Sequence, residues 1–193
     1  GAGSYLVADL VPGPTGSFPQ YFTSNGTLMF MQADSRVWRS DGTTAGTYAL
    51  SPSSVANDVP PVLAGGGVVW GTRSGSTYTL WGSDGTNPTP VALRTMSSIG
   101  TFAVSGSRTY FAAADAANGW ELYFTDGTVA STVMIDTVPG TGGITPTNLC
   151  SDGAGGVWFS GRTNAAGVEL WHSDGTVAGT AMVVDALPGS AGT

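Results

Sequence analysis

Short apolar runs rich in Val, Tyr, Trp, Phe and Thr follow one another along this chain, with Gly, Pro, Asn and Asp between them. Such punctuation predicts β-strands joined by tight turns. No stretch shows the 3.6-residue period of an amphipathic helix. The predicted strands come in sets of four. In the last set they cover 147–151, 156–161, 168–173 and 180–187. The third set covers 100–105, 108–113, 120–125 and 131–137. The second covers 61–64, 67–73, 78–83 and 89–94, and the first 20–23, 27–32, 36–40 and 47–50.

One segment punctuates every set. It reads Leu170-Trp171-His172-Ser173-Asp174-Gly175-Thr176 in the last and Val37-Trp38-Arg39-Ser40-Asp41-Gly42-Thr43 in the first. The other two are Leu80-Trp81-Gly82-Ser83-Asp84-Gly85-Thr86 and Leu122-Tyr123-Phe124-Thr125-Asp126-Gly127-Thr128. Its Asp-Gly pairs begin at 41, 84, 126 and 174, so the steps are 43, 42 and 48 residues. A near-constant step of this size signals a repeat architecture. The Asp-Gly pair joins a third strand to a fourth, because Gly accepts a positive φ and Asp folds back onto backbone amides. An Ala-Gly-Thr tag follows at 45–47 and 178–180, and Ala130-Ser131-Thr132 stands in its place in the third set. The second set has Asn87-Pro88-Thr89-Pro90 there, which suits an outer edge strand. A Val-x-Asp-x-x-Pro-Gly tag closes fourth strands at 183–189, and related tags stand at 7–13 and 134–140.

A period of four short strands fits a ring of four-stranded blades. The expected fold is all-β, a β-propeller-like array of about four four-stranded antiparallel blades. It forms one repeat domain over 1–193, with repeats at about 14–51, 52–95, 96–140 and 141–189 and a leading fourth-type strand at 4–11. That makes about seventeen strands. The surplus strand would compete with 180–187 for one outer edge, which points to a piece of a longer array or to self-association by strand exchange.

Glu169-Leu170-Trp171-x-x-Asp174-Gly175-Thr176, then Ala-Gly-Thr and Val-x-Asp-x-x-Pro-Gly, resembles the bacterial ELWxxDGT repeat family. The match is nearly complete over 169–189 and good over 121–140. It is partial in the first two repeats, where Arg36 and Thr79 replace the glutamate. The resemblance implies a propeller-like fold within large, often exported or surface-attached proteins, with a scaffold or adhesive role. It implies no catalytic activity and supplies no site residues.

Composition narrows the function. The net charge is −7, all six basic residues are arginine, and no basic stripe offers itself to nucleic acid or an anionic membrane. No apolar run is long enough for a transmembrane helix. The one cysteine, Cys150, forms no intrachain disulfide and is expected to be a buried, inert thiol. The one histidine, His172, aligns with Arg39, Gly82 and Phe124, so it reads as an exposed strand residue. One His and one Cys build no His/Cys zinc site, and no Gly-x-Ser-x-Gly elbow surrounds any serine.

Asp41-Gly42-Thr43, Asp84-Gly85-Thr86, Asp126-Gly127-Thr128 and Asp174-Gly175-Thr176 are therefore expected to be structural turns. Calcium is the cofactor alternative for these loops, although each holds a single acid. No cofactor is otherwise expected. Trp38, Trp81, Tyr123 and Trp171 share one slot and are expected to pack the seams between blades. The alternative is a set of sugar platforms. Trp70, Trp120 and Trp158 are expected in the core, and most arginines in solvent.

The expected function is a non-catalytic extracellular or cell-surface module, a fragment of a larger exported protein. It would bind a protein partner or other copies of itself. A carbohydrate-binding propeller lectin is the alternative. A glycoside hydrolase is the remote one, and it would need non-repeat acids such as Asp34, Asp58, Asp115 or Asp152 to meet in one pocket.

Overall fold

The structure is a computed structural model that describes residues 3–51, 59–186 and 188–189. These residues form sixteen strands and no helix. The first sheet contains β1 (Gln20–Ser24), β2 (Met29–Ala33), β3 (Arg36–Ser40) and β4 (Tyr48–Ala49). The second contains β5 (Val62–Ala64), β6 (Gly67–Ser74), β7 (Thr77–Ser83) and β8 (Val91–Met96). The third contains β9 (Ser98–Ser105), β10 (Arg108–Asp115), β11 (Gly119–Thr125) and β12 (Val133–Ile135). The fourth contains β13 (Thr147–Ser151), β14 (Val157–Thr163), β15 (Gly167–Ser173) and β16 (Ala181–Val184). In each sheet the strands lie in chain order and pair antiparallel. This is a β-propeller-like array of four four-stranded blades, as the repeat predicts.

The strand ends shift by a residue or two from their predicted places. The start of the second repeat and Leu187 lie outside the described residues. The expected seventeenth strand is not there: residues 4–11 are not extended in any sheet. A fourth-type strand needs a third-type strand to pair with, and β16 already occupies the edge of β15. The segment instead lies against the first sheet, where the Val7 carbonyl accepts a hydrogen bond from Thr44 Oγ1 at 2.7 Å.

Consecutive blades touch along their first strands, β1 with β5, β5 with β9 and β9 with β13. The first and fourth sheets make no comparable contact among the described residues. The core follows this arc as three seams. Phe30, Val37, Leu50, Val68 and Trp70 fill the first. Val69, Leu80, Phe111 and Tyr123 lead the second. Tyr110, Leu122, Phe159 and Trp171 lead the third.

Each seam joins the trailing face of one blade to the leading face of the next. Strand alternation sets this up, since neighbouring residues point to opposite faces. On β11, Leu122 faces the fourth blade while Tyr123 faces the second. The motif dipeptide Leu-Trp thus supplies one residue to each of two successive seams. Backbone contacts add to the packing. Gly65 turns β5 into β6 at φ +56, and a Cβ there would meet the Asp126 carbonyl oxygen at 1.9 Å, so the third blade needs a glycine at that point.

Candidate functional site

The Asp-Gly-Thr loops form one hydrogen-bonded device repeated four times. Oδ1 of Asp41, Asp84, Asp126 and Asp174 accepts from the backbone N–H of Thr43, Thr86, Thr128 and Thr176 at 2.8–3.1 Å. The same oxygen accepts from the threonine hydroxyl at 2.7–2.8 Å. The residue before each aspartate, Ser40, Ser83, Thr125 or Ser173, accepts the N–H of the loop glycine at 3.0–3.1 Å. Gly42, Gly85, Gly127 and Gly175 all have φ between +79 and +92, where a side chain would strain the loop.

The last threonine of the tag closes the loop. Thr47, Thr132 and Thr180 donate to the carbonyls of Thr43, Thr128 and Thr176 at 2.6–2.7 Å. Each also meets the hydroxyl of Ser40, Thr125 or Ser173 at 2.6–2.9 Å. The tag glycine lets the aspartate fold over it, since a Cβ on Gly179 would lie 2.1 Å from Asp174 Oδ1. In the third loop Ser131 stands there, and its hydroxyl donates to Asp126 Oδ1. These donors hold the loop carboxylates below the usual range. The leading cause is the threonine hydroxyl for Asp41 and Asp174, the Thr86 amide for Asp84, and the Ser131 hydroxyl for Asp126.

The four slot aromatics lie on the leading faces of their blades. Tyr123 and Trp171 are buried in the second and third seams. Trp81 is half-buried against the first seam. Trp38 is half-buried on the leading face of the first blade, where its indole N–H donates to the Ala33 carbonyl at 2.9 Å. Trp171 lies so close to Gly161 that a Cβ on that glycine would sit 2.6 Å from the indole. The slot therefore does not form a ring of open platforms.

Trp120, expected in the core, is half-buried and in none of the three core clusters. Three other expectations change. Trp158 is exposed, although Trp70 on the equivalent strand is fully buried. Cys150 is on a strand as expected, but it too is exposed. Both lie on the trailing face of the fourth blade, which no further sheet covers among the described residues. The arginines are the third case: Arg39, Arg94 and Arg108 are half-buried and bridge blades. Arg39 Nη1 donates to the Gly85 carbonyl at 3.0 Å, and Arg108 Nη1 to the Asp174 carbonyl at 2.9 Å. Each thus holds the Asp-Gly loop of the following blade. Arg39 lies over the Tyr48 ring, Arg108 over Phe124 and Arg94 over Tyr123.

An open cleft of about 670 Å³ lies at the rim between the third and fourth blades. Arg108, Asp152, Gly155 and Asp174 line it. His172 is not simply solvated. It sits against the Trp158 ring at 4.3 Å between centroids, and its Nε2 meets Asp152 Oδ2 at 2.9 Å. That hydrogen bond, with the amides of Ala154 and Gly156, holds the Asp152 carboxyl down to about 2. Of the other non-repeat acids, Asp34 lines a cleft on the first blade and Asp115 accepts from the Asn118 amide. Asp58 lies outside the described residues. Both acids of the rim cleft are therefore held ionised, and neither is set up to give a proton. Among the described residues the one strongly raised acid is Glu121, pushed up to about 8 by burial and by Asp136 and Asp115. It has no exposed surface.

No protein-family model matches the chain, and no curated protein matches it. Solved β-propeller structures do. A puromycin hydrolase S511A mutant complexed with PGG is 17% identical, with a TM-score of 0.54 over 87% of this chain and 31% of that one. TolB from Acinetobacter baumannii is 15% identical, with a TM-score of 0.50 over 85% and 41%. An acylaminoacyl peptidase from Pyrococcus horikoshii is 13% identical, with a TM-score of 0.51 over 88% and 27%. At these identities the likeness shows the fold alone. The chain spans less than half the length of each of these proteins.

Proposed function

We propose that this chain is a non-catalytic interaction and scaffold module of the ELWxxDGT repeat type, borne on a larger exported or surface-attached bacterial protein. It works by presenting apolar sheet faces to protein partners. One observation carries this reading: the chemistry-bearing residues of the motif are spent on holding the fold. The loop aspartates are satisfied by their own threonines. The slot aromatics pack on blade faces, and the motif glutamates Glu121 and Glu169 are buried. Apolar side chains remain exposed at both ends of the array, including Phe22 and Met29 on the first blade and Trp158 and Leu170 on the fourth. Sugar binding along the repeated slot would need open platforms, which favours protein as the partner.

The test is a turnover assay of the purified chain against aryl esters, aryl glycosides and peptide anilides. Rates equal to buffer are expected. Saturable turnover that falls on His172→Ala, which removes the only imidazole, would overturn the reading.

A further inference from the structure

The repeat allows each exposed residue at one end of the array to be compared with its counterparts inside. Strand register aligns Phe30, Val69, Tyr110 and Trp158, which face Arg39, Gly82, Phe124 and His172 on the next strand. The first three are fully buried, yet Trp158 is 39% exposed. Val37, Leu80 and Leu122 are fully buried, and their counterpart Leu170 is 46% exposed. Ile135, paired with Leu122, is buried, whereas Val184, paired with Leu170, is 52% exposed. Inside the array this trailing face is always covered by the next blade. On the fourth blade it carries the same kind of side chains and nothing described covers it.

The leading face shows the converse at the other end. Val68, Thr109 and Val157 are fully buried against the preceding blade, but their counterpart Met29 is 37% exposed. Phe102 and Leu149 pack against seams, but Phe22 in the same place is 57% exposed. Met31 on this face is buried, and Leu6 and Leu10 of the leading segment lie with Phe22, Met29 and Met31 around an apolar groove of about 190 Å³, so residues 4–11 lie over part of the face that a preceding blade covers elsewhere.

The molecule therefore carries the two halves of one further seam, a trailing half on the fourth blade and a leading half on the first. We propose that these halves join between two copies of the chain, head to tail, to close a ring of eight blades with two identical new seams. Continuity with the three internal seams carries the proposal. The missing contact is the one already made at each step of the array, with the same residue types in the same strand positions.

Symmetry sets the number of copies. A contact between unlike faces builds a closed ring or an open filament. Propeller rings typically hold four to eight blades, and two copies of the four described blades reach eight whereas three would exceed that range. Breaking such a pair means opening both seams, so each seam strengthens the other. The inference rests on the non-catalytic, protein-binding reading and names a second copy as the partner.

The experiment is light scattering on the wild-type chain and on Leu170→Asp and Phe22→Asp. Both positions are exposed in the single chain, and circular dichroism confirms that each variant is folded. The wild type is expected at twice the chain mass, and each variant alone at the chain mass. An equimolar mixture of the two variants is expected to pair, more weakly than the wild type, through the one sound seam between the leading face of Leu170→Asp and the trailing face of Phe22→Asp, the other seam holding both aspartates.

Three results would each overturn the proposal. One is a wild type that stays single up to its solubility limit. Another is a variant that still pairs alone, which would mean a like-to-like interface. The third is a mixture of folded variants that pairs no more than either variant alone up to the solubility limit. A single-chain mass with no turnover leaves the non-catalytic reading in place, whereas turnover refutes that reading whatever the mass.

Discussion

Glu121 illustrates how much one motif residue depends on its local partners. In the fourth blade the equivalent Glu169 accepts the backbone N–H of Ala186 at 3.1 Å through Oε2. Glu121 is fully buried, and both its oxygens lack a hydrogen-bond partner among the described residues. Burial first, and the nearby Asp136 and Asp115 second, raise it from 4.5 to about 8. The folded chain therefore holds a proton that the unfolded chain releases between these values. Stability is accordingly highest with respect to this group below about pH 4.5 and falls as pH rises to about 8, where the loss levels off. One proton limits the slope to ~1.4 kcal/mol per pH unit. Glu121→Gln keeps the shape and removes the titration. Thermal melts across this range are expected to show a falling Tm for the wild type and a flatter profile for the variant. Parallel profiles would mean that Glu121 is ionised in the folded chain. The loop aspartates act in the opposite direction: held low by their threonines and, for Asp126, by Ser131 first, they add stability above their unfolded value and lose it in acid.

At the scale of the strand, position in the array decides what a side chain is worth. Leu122 on β11 and Leu170 on β15 occupy the same motif slot, but one is fully buried and the other largely exposed. Leu122→Ala is expected to cost about 2–5 kcal/mol by the usual cost of emptying a core site. Leu170→Ala, measured in urea at concentrations dilute enough to keep chains apart, is expected to cost less than ~1 kcal/mol. Equal losses at the two positions would show that the fourth blade's trailing face is covered within one chain. The same contrast explains what could be read from the amino-acid sequence. The Asp-Gly-Thr loops were legible because the hydrogen bonds that shape each loop lie within an eight-residue stretch such as Ser40 to Thr47. The strands were legible because their turns are local. Residues 4–11 were misread because a strand exists only where a partner edge is free. Trp158 and Cys150 were misread because their burial depends on a following blade and not on their own neighbours in sequence. Arg39 and Arg108 were misread for a similar reason, since they bind loops of the next repeat.

The molecule as a whole is an arc of four blades joined by three seams among the described residues, with half a seam at either end. Its stability is then a sum of near-identical neighbour contacts, and its association is one more contact of that kind. The most direct probe is already in place: Cys150 sits beside Trp158 on the uncovered trailing face. It is the only thiol in the chain, so its reaction with a thiol reagent reports on that face alone. The measurement is the labelling rate of Cys150 as a function of protein concentration. Fast labelling in dilute solution that slows as the concentration rises is the expected result, because a second copy covers the face. Fast labelling at every concentration would contradict head-to-tail pairing, and slow labelling at concentrations where light scattering finds single chains would mean that a single chain covers the face by itself.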